Sequence, residues 1–153
     1  MKLTIVTAIA ALSSAAVSLP IQAENLSHLN QLLSTKECTR CDLSSSGLVM
    51  ANLAGAQLQG ANLVSANLSQ ANLMGADLSG ANLENANLSG CSLKNTILVN
   101  VNMNGADLQG ADVRGADFTG VDVTNIKNLD LVKNYEKAKG LPVPAADDYQ
   151  CPY

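Results

Sequence analysis

Cysteine and histidine are the side chains of this sequence best suited to chemistry, and two of the four cysteines form the motif Cys38-Thr39-Arg40-Cys41. A Cys-x-x-Cys motif can be a redox dithiol, half of a zinc site or a structural disulfide. Redox motifs usually lie at a helix N-terminus in a βαβ setting, which the surrounding sequence lacks. We therefore expect a Cys38–Cys41 disulfide, with a Cys38–Cys151 disulfide, free thiols, and redox or metal chemistry as alternatives.

The other chemically suggestive residues do not form a recognisable site. His28 is the only histidine, so a zinc site on the motif would have only His28 and Cys151 as further candidates. Serine–histidine–aspartate and cysteine–histidine patterns, Gly-x-Gly-x-x-Gly and phosphate loops are missing from the sequence. The net charge is −4, aromatic residues make up 3%, and no basic stripe is visible. We expect no enzyme activity, no cofactor, no metal and no nucleic-acid partner.

A five-residue repeat must position these residues. It runs from Cys41 to Asn125 as 17 consecutive units without insertion, and the third residue is Leu in 13 of them. The first residue is mostly Ala and the second mostly Asn or Asp, as in Ala76-Asp77-Leu78-Ser79-Gly80. A period of five fits neither a helix nor a flat strand, so it indicates a solenoid whose coil is a multiple of five residues. First and third residues, two apart in extended backbone, would then point inward.

This tandem Ala-(Asn/Asp)-Leu-x-Gly pattern resembles that of the pentapeptide-repeat proteins. The resemblance implies an all-β solenoid, a right-handed quadrilateral β-helix of about four coils, with residue i stacked on residue i+20. We expect short α-helical caps at both ends and a wider tower near Thr96, Val101 and Val121, which replace Ala. One predicted inner column contains Leu43, Leu63, Leu83, Met103 and Val123, and another contains Leu58, Leu78, Leu98 and Phe118.

The same stacking rule assigns the outer surface. The consecutive second-position residues Asp107, Asp112, Asp117 and Asp122 would lie on four different sides, as a solvated acidic ring around the last coil. At residue 97 an isoleucine replaces the usual amide, and an outward valine follows two residues later. We predict a candidate interface for a protein partner from an apolar spot and a basic column, comprising Ile97, Val99, Lys94 and Arg114.

The two ends of the chain have different patterns. Residues 1–23 contain an apolar run and a plausible cleavage site after Ala23, which is typical of a signal peptide. Residues 24–40 are predicted to hold an N-terminal capping helix, with leucines at helical spacing. Residues 126–153 are predicted to hold a second capping helix over Asn128 to Lys139, followed by an irregular tail, because the repeat register is lost after Asn125.

These features favour an exported interaction module over a catalyst. The signal peptide and the Cys-x-x-Cys-Asp-Leu start of the repeats resemble pentapeptide-repeat proteins of the cyanobacterial periplasm or the thylakoid lumen. We expect a monomer that contacts an unidentified protein partner and makes no stable membrane insertion after cleavage. The family offers an alternative, a DNA mimic that inhibits or protects DNA gyrase, and a further alternative is a lumenal thiol-disulfide protein using Cys38 and Cys41.

Overall fold

The structure is a computed structural model that describes residues 20–142. Most of the predicted signal peptide, and Cys151 with the rest of the tail, therefore lie outside the described residues. The first element is a helix, α1, over Pro20–Thr35, which begins before the expected start at Glu24. No described helix is long and apolar enough to cross a membrane.

The repeats form a solenoid with twenty residues per coil. Second-position residues make isolated parallel bridges to the residue twenty positions later, as in Asp42 to Asn62 and Asn62 to Asn82. Each unit contributes one bridged residue and then turns a corner, where its fifth residue adopts a left-handed conformation. Four such units close one coil, which gives four sides. We number the sides by their first bridged residues, which are Glu37, Asp42, Gly47 and Asn52.

First and third residues of the units fill the interior. The third-position side chains from Leu43 to Leu98 are at most 2% exposed, and Phe118 is fully buried. The first-position alanines pack beside them, and the corner N–H of Ala66 donates to the Leu63 carbonyl at 3.0 Å. In the predicted inner columns every member is buried except Val123, which is only half-buried. Its different environment is explained by the break in the ladder described below.

The solenoid starts one unit earlier than the sequence pattern predicted. Glu37 bridges Gln57, and Arg40, the fifth residue of this unit, has the left-handed φ of 58° that marks a corner. Residues 36–40 therefore belong to the solenoid and not to the N-terminal helix. The unit was missed because Lys36 and Cys38 replace the usual Ala and Leu.

Side chains of α1 take the place of a preceding coil on the first two sides. The Glu37 N–H donates to Thr35 Oγ1 at 3.1 Å, and Gln31 Nε2 donates to the Glu37 carbonyl at 2.9 Å. On the second side, the Asp42 N–H lies 3.1 Å from His28 Nδ1, which accepts it in the Nε2-protonated tautomer. Leu32 of α1 is fully buried against the first coil. The helix therefore hydrogen-bonds to edge groups that would otherwise lack partners.

The prediction of a capping helix over Asn128 to Lys139 is wrong. The structure instead has two short 3₁₀ helices, Leu129–Leu131 and Tyr135–Lys137, and the chain continues to wind around the solenoid. The repeat period changes from five to six residues, with units starting at Ile126, Val132 and Ala138. The second residues of these units, Lys127, Lys133 and Lys139, bridge Asp107, Asp112 and Asp117 respectively. We call residues 126–142 the terminal coil.

The period of six explains why this segment looked helical. Apolar residues recur at spacings of three, as Ile126, Leu129, Val132 and Tyr135, which also suits a helical face. The third residue of each unit has a positive φ, and these residues are Asn128, Asn134 and Gly140. Such residues interrupt an α-helix and mark corners, so the pattern Lys followed by Asn or Gly every six residues could have predicted the coil.

The ladder is broken on the second side. No bridge joins Asn102 to Asp122, although every other pair from Glu37–Gln57 to Ile97–Asp117 is present. Val101 and Val121 stand in first position here, where Ala is usual, and the corner bond from Val101 N to Leu98 O is long at 3.4 Å. Two stacked β-branched residues at one corner need more room than alanines, and we attribute the separation of these coils to them.

Candidate functional site

Cys38 and Cys41 are joined by a disulfide at the first corner of the solenoid, with their Cα atoms 5.2 Å apart. Cys38 takes the third position of its unit, where Leu is usual, and Cys41 takes the first position of the next. The pair thus replaces the leucine and alanine that meet at other corners. This arrangement agrees with the preferred pairing and leaves Cys38 unavailable to Cys151.

The disulfide is protected from external thiols. Cys38 is fully buried and Cys41 is 4% exposed. The Cys38 sulfur lies 3.4 Å from the His28 carbonyl oxygen of α1, so the helix covers it. Thiol–disulfide exchange requires a thiolate to reach one of the two sulfur atoms. An incoming thiolate would have to displace α1 first, so the site is better suited to a structural role at the first corner than to electron transfer.

Cys91 and Thr96 are buried first-position residues with polar groups. Cys91 Sγ donates to the Leu68 carbonyl at 2.9 Å, and Thr96 Oγ1 donates to the Leu73 carbonyl at 2.9 Å. Burial raises the pKa of the Cys91 thiol to about 12. The thiol therefore stays protonated at neutral pH and is a poor nucleophile.

The predicted interface residues lie on two adjacent sides. Ile97 is on the first side, bridged to Asp77 below and Asp117 above, and 41% of it is exposed. Val99 follows on the same side and is half-buried. An exposed isoleucine between two aspartates is an apolar break in an otherwise polar row.

Lys94 and Arg114 lie around the corner, on the fourth side. Lys94 Nζ is 3.3 Å from Asp112 Oδ2, and Arg114 Nη2 donates to Asn134 Oδ1 at 3.2 Å. Both cations are therefore attached to neighbouring polar groups. The structure places them beside the Ile97 and Val99 side but does not bring the four residues into one continuous row.

The acidic ring is covered on three sides by the terminal coil. Asn128 Nδ2 donates to Asp107 at 2.7 Å, Asn134 Nδ2 donates to Asp112 at 2.8 Å, and Lys139 Nζ lies 2.8 Å from Asp117. The ring is therefore not the solvated face that the sequence predicted. Sequence reasoning missed this contact because it placed a helix over the lysines and asparagines.

These contacts lower the pKa values of two of the carboxyl groups, those of Asp117 and Asp112. The hydrogen bond from Lys139, followed by those from the Thr119 hydroxyl and N–H, lowers the pKa of Asp117 to about 2. Burial raises the pKa of Asp112, but the Arg114 N–H and the Asn134 and Lys94 side chains lower it further, so the net shift is downward. Both groups therefore favour the charged form and help to hold the terminal coil.

Asp122 is the member of the ring that the terminal coil leaves uncovered. A cleft of about 140 Å³ opens where the second-side ladder is broken, and it is lined by Val101, Asn102, Met103, Asn104, Asp122 and Asn125. Within residues 20–142, no group of three or more histidine, cysteine, aspartate or glutamate side chains could hold a metal ion. The cleft is thus an amide-rich and apolar recess with one carboxylate.

Comparison with known proteins gives a consistent set of matches. The family model for pentapeptide repeats matches in eight copies, over residues 37–63, 51–90 and 86–125. A search of curated proteins finds no significant match.

Solved structures of repeat proteins are also similar. A pentapeptide repeat protein from the Arabidopsis thaliana thylakoid lumen is 30% identical, with 63% of this chain and 71% of that chain covered and a TM-score of 0.48. Rfr23 from the cyanobacterium Cyanothece 51142 is 27% identical, covering 74% and 97%, with a TM-score of 0.47. QnrB1, a plasmid-mediated fluoroquinolone resistance protein, is 19% identical, covering 67% and 52%, with a TM-score of 0.31.

Proposed function

Because this chain belongs to the pentapeptide-repeat family, whose members fold as right-handed quadrilateral β-helices, we propose that it is an exported module that binds a protein partner through the sides of its solenoid. The proposal gives the protein no catalytic step and no cofactor. The observation that carries it is the exposed Ile97 in the bridged row Asp77–Ile97–Asp117 of the first side.

The surroundings of Ile97 are those of a binding surface. Fixed backbone pairing on both sides holds the residue in place, so little conformational entropy is lost when a partner covers it. Val99 extends the apolar spot, and Asp77 and Asp117 provide a charged border. Lys94 and Arg114, around the corner, add positive charge within reach of the same partner. A small apolar centre with a polar rim is the usual composition of a non-obligate interface.

Export is supported by two separate features. The apolar stretch within residues 1–23, followed by Ile21-Gln22-Ala23, has the composition of a cleavable leader. The Cys38–Cys41 disulfide is typical of oxidising compartments such as the periplasm. We therefore place the mature protein in the periplasm or the thylakoid lumen.

Affinity capture from the exported compartment tests the proposed surface. Tagged wild-type protein is compared with Ile97→Ser, and the proteins recovered by each are quantified by mass spectrometry. Val49→Ser is the matched control, because Val49 is similarly exposed at 47% but lies on the third side. We expect one protein to be lost with Ile97→Ser and retained with Val49→Ser. Equal recovery of every protein by all three chains would refute the assignment of the partner to this surface.

A further inference from the structure

Within residues 20–142, the second side of the solenoid lacks the cover that the terminal coil gives to the other three sides. Above Asp107, Asp112 and Asp117, the terminal coil places a lysine in ladder register, and the inward residues flanking these aspartates are buried. No described residue is bridged to Asp122, and its neighbours Val121 and Val123 are only half-buried. The uncovered groups Val121, Asp122 and Val123 are here called the open side.

The open side presents the hydrogen-bonding groups of a strand edge. On the third side, the Lys127 N–H donates to the Ala106 carbonyl at 2.8 Å, and the Leu108 N–H donates to the Lys127 carbonyl at 3.1 Å. The equivalent groups on the open side, the Val121 carbonyl and the Val123 N–H, have no partner among residues 20–142. An exposed edge with this spacing can accept an extended peptide by strand addition.

The carboxylate of Asp122 is available on the same edge. Its Oδ1 accepts the N–H and the hydroxyl of Thr124, at 3.0 and 2.7 Å. No hydrogen bond or ion pair joins its Oδ2 to another described residue, whereas Asp117 Oδ2 is paired with Lys139. On the first side, Lys139 stands in ladder register with Asp117 and pairs with the equivalent oxygen. A ligand lysine in the same register above Asp122 would reach this Oδ2.

The C-terminal tail of the chain, residues 143–153, is a poor ligand for the open side because it has no positive charge to pair with Asp122. If the spacing of six from Lys127 to Lys133 and Lys139 continued along the sequence, the next residue in register would be Ala145, which supplies no cation for Asp122. Residues 143–153 contain Asp147 and Asp148 and no lysine or arginine. Acidic residues next to Asp122 would be repelled. A second copy of the chain is also disfavoured, because its Lys-Asn and Lys-Gly pairs already lie on its own aspartates.

We propose that the open side binds an extended segment of a partner protein by strand addition, with a lysine of that segment opposite Asp122. Apolar residues beside the lysine would cover Val121 and Val123, and an Asn or Gly would follow it, as in the terminal coil. The inference adds a second contact surface to the proposed interaction function, separate from Ile97 on the first side.

A synthetic peptide with the sequence of residues 126–137 is the direct probe, because it carries two Lys-Asn pairs. Its binding to the full chain is followed by fluorescence anisotropy of a labelled peptide. Asp122→Asn keeps the Oδ1 acceptor for Thr124 but removes the charge, and we expect it to weaken binding by about tenfold. Asp130→Asn removes one exposed charge elsewhere, and we expect less than about a twofold change.

Amide hydrogen exchange in the full chain tests the competing occupant. We expect the Val123 N–H to exchange freely without the peptide and to slow by at least about tenfold when the peptide saturates the site. Protection of Val123 without the peptide would show that the tail covers the open side and would overturn the proposal. Absence of peptide binding up to about 1 mM, or equal binding by Asp122→Asn, would also overturn it. Ile97→Ser is expected to leave peptide binding unchanged, so the two surfaces are tested independently.

Discussion

Replacing Gly140 with alanine should detach one side of the terminal coil. Gly140 has a φ of 81°, and an added Cβ would lie 2.7 Å from the backbone carbon of Phe118 and 2.7 Å from the Thr119 nitrogen. Backbone atoms cannot rotate away as a side chain can. The segment must therefore move, which breaks the bonds from Lys139 N to Ala116 O and from Phe118 N to Lys139 O, at 2.8 and 2.7 Å.

The size of the effect follows from these losses. A left-handed alanine costs about 1–2 kcal/mol, and two backbone hydrogen bonds contribute about 0.5–1.5 kcal/mol each. The free energy for opening this side should therefore fall by roughly 2–5 kcal/mol, or about 30- to 5000-fold in the opening equilibrium. Gly110→Ala is the matched control, because Gly110 has a φ of 68° but an added Cβ would meet nothing within 4 Å. Gly110→Ala should therefore lose only the free energy of about 1–2 kcal/mol that a left-handed alanine costs.

Native-state amide hydrogen exchange is the appropriate assay, because the opening is local and a global unfolding curve would average over it. In Gly140→Ala, the protection of the Phe118 and Lys139 amides against exchange should fall by the same factor as the opening equilibrium rises. The protection of the Leu63 amide, which lies in the regular coils, should not change. If Gly140→Ala and Gly110→Ala had the same effect on these two amides, the close contact between Gly140 and the Phe118 backbone would be wrong.

Three further predictions concern the core, the thiol and the terminal coil. Leu78→Asp should prevent folding because it buries an unpaired charge in a fully buried position, whereas Asn72→Ser, at an outward position, should change the free energy of unfolding by no more than about 0.5 kcal/mol in urea titrations. Cys91 should resist alkylation by iodoacetamide at pH 8 in the folded protein and react after denaturation; fast labelling of the folded chain would contradict its burial and its pKa of about 12. The pKa of Asp117 is lowered from 3.8 to about 2, so its stabilising contact with Lys139 is fully present above pH 3.8 and is lost as the pH falls towards 2. Hydrogen exchange of the Lys139 amide should show this pH dependence, and Asp117→Asn should abolish it.

The regular part of the fold could be predicted from the sequence because each unit repeats the same inside and outside positions. Asn62 and Leu63 are the second and third residues of a unit that recurs 17 times. One assignment of these positions to the outside and the inside therefore applies to every unit, and the opposite assignment would place every leucine on the surface. The Cys38–Cys41 pairing was also within reach, because a Cys-x-x-Cys motif in an exported chain without a redox setting favours a structural disulfide. The substituted unit at residues 36–40 was not, because it lacks both Ala and Leu.

The terminal coil shows why periodicity alone misled the prediction at the C-terminus. Apolar residues three apart, from Ile126 to Tyr135, suit a helical face, and both a helix and a coil of six-residue units satisfy that spacing. The deciding residues are Asn128, Asn134 and Gly140, which are spaced by six and suit the left-handed conformation, and the lysine before each one. Their counterparts lie in the preceding coil, at Asp107, Asp112 and Asp117, and so only the comparison of two coils reveals them.

The same comparison distinguishes the three aspartates that the terminal coil covers from Asp122, which it does not cover. Three aspartates of the ring accept a hydrogen bond from a side chain of the terminal coil: Asp107 from Asn128, Asp112 from Asn134 and Asp117 from Lys139. Asp122 has the same position in its unit but no lysine above it, because the six-residue units run out of cations after Lys139. The proposed external strand would supply both the lysine for Asp122 and the partners for the Val121 carbonyl and the Val123 N–H, which have none among residues 20–142. The sequence predicted a solvated ring, but its four members differ, and this difference is the basis for proposing a protein strand at a single side.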